Sequence, residues 1–261
     1  MSKLAGINLL PRNVFAALTS LDQVSARLRG QRDARAVFPD VYAVITRRVA
    51  DEVAKGEDSL FLEPAWIGRL AGLFAIRYFE SLVASLASDG DCDGDAQCSA
   101  AWRLAYAHAA QGLTLPAQDA FFGINAHINF DLAQGIYDNI IAAGAAEDER
   151  MLARYRHDHD AVNQILEDSL PECLELLVNR YGCPVARLLT RIDLVQAVFT
   201  RLTLAMLKMW RNQVWSDVLG MLVAKREADK SAILSRMNRD SARIAALTGM
   251  VSIGPALALR A

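Results

Sequence analysis

The chain lacks most of the short motifs that announce a chemistry. Its four cysteines, Cys92, Cys98, Cys173 and Cys183, form no CxxC pair, which argues against a structural zinc ribbon. Cys92 and Cys98 flank one loop and could pair under oxidation, but a reducing cytosol predicts free thiols. No Gly-x-x-x-x-Gly-Lys-Ser/Thr run is present to cradle a nucleotide phosphate, and no Gly-x-Ser-x-Gly elbow presents a serine nucleophile. Charge of one sign is also missing: 28 Lys and Arg stand against 30 Asp and Glu, scattered together, which excludes the electrostatic footprint of a nucleic-acid binder. No apolar run reaches the roughly 18 residues of a transmembrane segment. The N-terminus has no long hydrophobic stretch followed by a cleavage site. The expected compartment is therefore the cytoplasm.

What is present is helical periodicity. The chain is 53% hydrophobic over 261 residues, enough for a large core, and nowhere does it sustain strand-like alternation. The pattern predicts an all-α, single-domain bundle of about eight helices around a buried central one. The helices fall near 19–30, 38–55, 64–87, 99–112, 116–143, 147–181, 184–226 and 229–247. Pro64, Pro116 and Pro184 suit first turns, and Gly56, Gly144 and Gly182 suit helix stops. Ser20 with Gln23 resembles a capping box, and the long 184–226 stretch is expected to bend or divide at Gly220 or near Trp210. The domain is assigned to 1–249 and an apolar tail to 250–261. The tail and the long helix are candidate surfaces for a homo-oligomer.

Asp89, Asp91, Asp93, Gly94 and Asp95 match the first half of a calcium loop. The twelfth position, which needs a bidentate Glu, is Ala100, so a solvated acidic loop is the expectation.

The central helix is the chemically unusual segment. His127 and Asp131 lie one turn apart and share a face, which Gln134 and Asp138 continue; Asn125 and Asn129 lie on the other side. Phe121, Phe122, Ile124, Ile128, Phe130 and Leu132 surround them, which predicts burial. Buried polar groups need partners, and a structural network and a functional site both supply them. A second helix carries Asp158 inside an apolar stripe, with His159 at its edge and Asn163 one turn on. Antiparallel packing of the two helices would bring Asp158 to His127 and Asp131.

The run Gly123 to Leu132, reading Gly-Ile-Asn-Ala-His-Ile-Asn-Phe-Asp-Leu, resembles the hallmark of an uncharacterised bacterial family, the domain of unknown function numbered 5995. Asp158 to Asn163 resembles its second element, with His159 where the family has tyrosine. Phe74 to Phe79 resembles an aromatic helix ending in Tyr-Phe. The resemblance spans roughly 35–225 and departs at the acidic insert 88–97 and after about 248. It implies a helical fold and a site at these motifs, and brings no established activity.

Three functions compete. The favoured one is a small-molecule enzyme working by acid–base chemistry, the isomerisation or cyclisation of a hydrophobic metabolite. His127, Asp131 and Asp158 are its candidate catalytic residues; Asn125, Asn129, Arg77, Tyr78 and Asn163 are candidates for holding substrate. The second is a metal-dependent hydrolase or oxygenase, with zinc or iron on His127, Asp131, Asp158 and His159. The third is a non-catalytic ligand-binding or scaffold protein. Arg77 is expected to pair Asp158, Asp131 or a substrate carboxylate, and Arg211 to stack with Trp215 at the surface.

Overall fold

A computed structural model describes residues 3–87, 98–112 and 114–250. The acidic loop 88–97 and the tail after Met250 lie outside the described residues. Among those described the chain is helical throughout, with no strand. The elements are α1 (Val14–Gly30), α2 (Val37–Ala54), α3 (Pro64–Ala87), α4 (Ala100–Gln111), α5 (Pro116–Ala126), α6 (Leu132–Ala142), α7 (Glu149–Tyr181), α8 (Pro184–Leu189), α9 (Asp193–Val223) and α10 (Glu227–Met250). A π-helical turn, His127–Asp131, joins α5 to α6.

Most ends follow the residue chemistry. Pro64, Pro116 and Pro184 open α3, α5 and α8, and Gly182 caps α7 in the left-handed region that glycine adopts without strain. Ser20, however, opens no helix. Asn13 is the N-cap of α1, accepting the Ala16 N–H at 3.0 Å, and Ser20 lies inside the helix with its hydroxyl on the Ala16 carbonyl. The long stretch divides at Thr190–Ile192, between α8 and α9, rather than at Gly220 or Trp210. Cys173 and Cys183 are buried thiols, whereas Cys98 is disulfide-bonded, against the expectation that all four would be free.

The central helix α5–π–α6 packs against α2, α3, α4, α9 and α10 and is buried on most sides, as its composition requires. Gly123 lets it meet α2 closely: a Cβ there would lie 2.3 Å from the Phe38 ring. α3 is long and apolar enough to cross a membrane by length and composition, with a mean hydropathy of 1.4 over its most apolar stretch, where the sequence reading found no such run. In the fold its Trp66, Tyr78 and Phe79 are core residues.

The long helix α7 packs mainly on α2, and then on α8 and α9, not alongside α6. That arrangement decides the fate of Asp158.

Candidate functional site

His127 sits in the π turn, almost fully buried at 2% exposure. There the Leu132 N–H donates to the His127 carbonyl five residues back instead of four. The Gln134 side chain donates to the Phe130 carbonyl at 3.0 Å, so the loosened turn keeps that acceptor satisfied. Such single π turns recur at functional sites.

The His127 Nδ1 lies 2.9 Å from Asp131 Oδ2, and the same oxygen accepts the Trp102 Nε1–H at 2.9 Å. A carboxylate oxygen accepts, so Nδ1 carries the imidazole proton and Nε2 carries the lone pair. Nε2 is buried and has no hydrogen-bond partner among the described residues. The ring is clamped by Phe74, stacked with centroids 3.4 Å apart and planes 6° apart, and by the edge of Tyr42 at 4.7 Å. Burial pushes the His127 pKa below its ordinary 6.5, against the raising influence of Asp131, so the ring is neutral near pH 7.

His127 lines a cavity of about 660 Å³ with walls from α2, α3, α5, α7 and α9, among them Phe38, Phe74, Ile124, Leu166 and Met206. Its lining is overwhelmingly apolar. Among the described lining residues Leu202, at 67%, is the exposed one, which places the mouth beside α9. Tyr42 and Thr46, one turn apart on α2, line the same cavity; their hydroxyls act on each other and have no other partner among the described residues. Burial raises the Tyr42 pKa, so its hydroxyl keeps its proton as a donor.

Asp158 does not reach His127. Its carboxylate accepts the Leu62 N–H at 2.6 Å and the Glu63 N–H at 2.8 Å, just ahead of α3. It anchors the start of α3, because α7 carries it to that end of the bundle rather than to the π turn. His157, exposed as expected, also approaches it, with Nδ1 at 3.2 Å.

His159 lines the cavity, but both its nitrogens are engaged. Nε2–H donates to the Arg211 carbonyl at 3.0 Å, and Nδ1 faces Arg211 Nη2 at 3.3 Å. Burial, and secondarily Arg211, holds its pKa well below the ordinary value. The metal set His127, Asp131, Asp158 and His159 is therefore not assembled. Among the described residues no three His, Cys, Asp or Glu side chains are grouped to hold an ion. The lone pairs of Asp131 Oδ2, Asp158 and His159 Nδ1 are already met by protein donors.

The remaining candidates stand off the cavity wall. The Asn125 Nδ2–H donates to the Ser241 carbonyl at 2.9 Å, and Asn129 Nδ2–H donates to Asn125 Oδ1 at 2.9 Å, so this face docks α10. Arg77 pairs with Asp138 at 2.5 Å, both partly exposed, and meets neither Asp158 nor Asp131. Tyr78 is buried near the His127 ring, with centroids 6.2 Å apart, but does not line the cavity. Asn163 accepts from Arg211 Nε at 3.0 Å. Arg211 is buried, not a surface partner of Trp215; the side chain lying over the Trp215 ring is Arg156, at 5.6 Å.

Sequence reading missed Trp102, Tyr42 and Thr46, and put Arg211 at the surface. Trp102 lies 29 residues from Asp131 and nothing local links them. Tyr42 and Thr46 at i and i+4 carried a readable signal, two hydroxyls on an otherwise apolar helix face.

These features define an all-α protein whose central helix sets an Asp-held histidine into the wall of an apolar cavity. The family of unknown function DUF5995 matches residues 14–249, and the chain belongs to that family. No curated protein and no solved structure matches the chain.

Proposed function

We propose that the protein takes a hydrophobic small molecule into the cavity and that His127 acts on it as a general base, in an isomerisation or cyclisation. One observation carries this reading: His127 lines the cavity with its Nε2 free of hydrogen-bond partners among the described residues, while Nδ1–H is held by Asp131. A neutral imidazole in that tautomer accepts a proton at Nε2, and Asp131 stabilises the imidazolium that results. Trp102 positions the carboxylate. The Tyr42 and Thr46 hydroxyls would meet oxygen charge developing on the substrate, the task first assigned to Asn125 and Asn129. The cavity volume suits an ordinary metabolite, and its apolar wall excludes water from the proton transfer.

A binding-only role draws on the scarcity of polar groups in that wall. The two readings part in one experiment. Native mass spectrometry of the purified chain identifies a retained apolar compound, which is then incubated with protein in D2O. A base at Nε2 washes deuterium into an acidic carbon position of the ligand. His127→Gln should slow the exchange by about 10²-fold or more while still binding. Binding without exchange by the unaltered protein, or equal exchange by His127→Gln, overturns the catalytic reading.

A further inference from the structure

The ligand is specified further by a charge that the protein leaves unbalanced. Arg211 is 5% exposed and lines the cavity beside His159. Its Nε–H donates to Asn163 Oδ1, and Nη2 bonds the His159 carbonyl and approaches His159 Nδ1, all neutral acceptors. Nη1, with two more N–H groups, makes no hydrogen bond to a described residue and is not sealed off from the cavity or solvent. No described carboxylate stands within ion-pair distance of the guanidinium. Asp160, which acts on it electrostatically, is bonded to Arg156 at 2.8 Å. Burial brings the Arg211 pKa down to about 10, which still leaves it positive at neutral pH. Buried charges in folded proteins are normally paired, because desolvation without a counter-charge is costly.

We propose that the missing partner is the ligand: Arg211 binds the head of an amphipathic carboxylate whose hydrocarbon body fills the apolar cavity. This deepens the hydrophobic-ligand reading and rests on it. A carboxylate fits better than a phosphate. It brings one charge and two oxygens, which one guanidinium nitrogen with two free N–H groups can meet, and the rest of the wall is too poor in donors for a larger anion. The same head fixes which way round the ligand lies. With the carboxylate on Arg211, the body of the ligand is the part presented to His127, and it carries the acidic carbon and the oxygen that Tyr42 and Thr46 would meet.

The test compares cis-parinaric acid with its methyl ester, by fluorescence titration of the purified full chain at neutral pH. The unaltered protein should bind the acid at least about tenfold more tightly than the ester, roughly the worth of one charge-assisted hydrogen bond. Arg211→Met should erase that preference while keeping affinity for the ester, and Arg211→Lys should restore part of it. Equal affinity for acid and ester in the unaltered protein overturns the proposal and leaves the hydrophobic-ligand reading standing. So does a preference that survives in Arg211→Met. Binding of neither probe overturns both readings. The comparison in the unaltered protein decides by itself should Arg211→Met fail to fold.

Discussion

His127 and His159 are both buried, both held neutral and both on the wall of one cavity, yet they are employed in opposite ways. His159 spends Nε2 on the Arg211 carbonyl and Nδ1 on the Arg211 side chain, tying α7 to α9. His127 spends Nδ1 on Asp131 and keeps Nε2. Burial and a lowered pKa are common to both, so neither separates the two histidines. The unspent nitrogen does, and the role proposed for His127 rests on it. A buried acceptor without a partner carries a penalty of about 1–3 kcal/mol, which that role would offset.

The comparison breaks most sharply on stability. His159→Ala removes two bonds and leaves the Arg211 guanidinium short of acceptors in the interior, so urea denaturation should show a loss of about 3 kcal/mol. His127→Phe keeps the stack on Phe74 and removes the orphaned Nε2, while Asp131 retains the Trp102 donor. Its cost should stay within about 1 kcal/mol. Equal large losses at both positions would reduce His127 to another structural cross-link.

Trp102→Phe is the next largest effect. It deletes one of the two donors to Asp131 Oδ2 and should cost about 1.5 kcal/mol. The carboxylate then leans more on His127, so the His127 pKa should rise, read from its ring proton shifts by NMR. An unchanged or lower pKa would mean that Trp102 does not act through Asp131.

The π turn explains how much of this was legible beforehand. The all-α fold, the central helix and the His127–Asp131 pair follow from periodicity, because i and i+4 positions stay on one face through a single turn. Beyond it the helical wheel fails. The extra residue of the π turn rotates everything after it by about 100°, so Asp138, expected on the His127 face, is instead half-exposed and paired with Arg77. Asp158 was correctly read as buried, but a stripe on one helix cannot say which neighbour it meets. Arg211 was misplaced for the same reason. Its partners Asn163 and His159 lie about 50 residues away, and no local pattern separates an outward arginine from one facing a cavity.

Acid pH should separate the two histidines more gently. A folded-state pKa below the unfolded 6.5 gives stability that is present above 6.5 and lost as pH falls below it, because the unfolded chain takes the proton first. Each histidine then contributes a loss of up to about 1.4 kcal/mol per pH unit until its folded-state pKa is reached. The lower pKa of His159 extends its loss further into acid. Asp119 opposes both: burial lifts it to about 6, so its contribution grows as pH falls. Urea midpoints of the unaltered protein and of His127→Phe, taken as a difference from pH 7 to 5, cancel Asp119. The difference should isolate a His127 share that is spent before the remaining loss is. A flat difference would show that His127 titrates alike in both states.

The smallest effect on the fold concerns access rather than chemistry. Leu202 lies on the wall of the cavity and at the protein surface together, on the α9 turn that bounds the mouth. A tryptophan there fills the opening from the outside, touching neither histidine. Leu202→Trp should leave stability within about 0.5 kcal/mol. Association and dissociation of an apolar fluorescent probe should both slow severalfold in stopped flow, with little change in their ratio, because a narrower door raises one barrier crossed in both directions. Unchanged rates would put the way in elsewhere. A changed ratio would mean that Leu202 contacts the bound ligand itself, and the site reached by His127 would then extend out to α9.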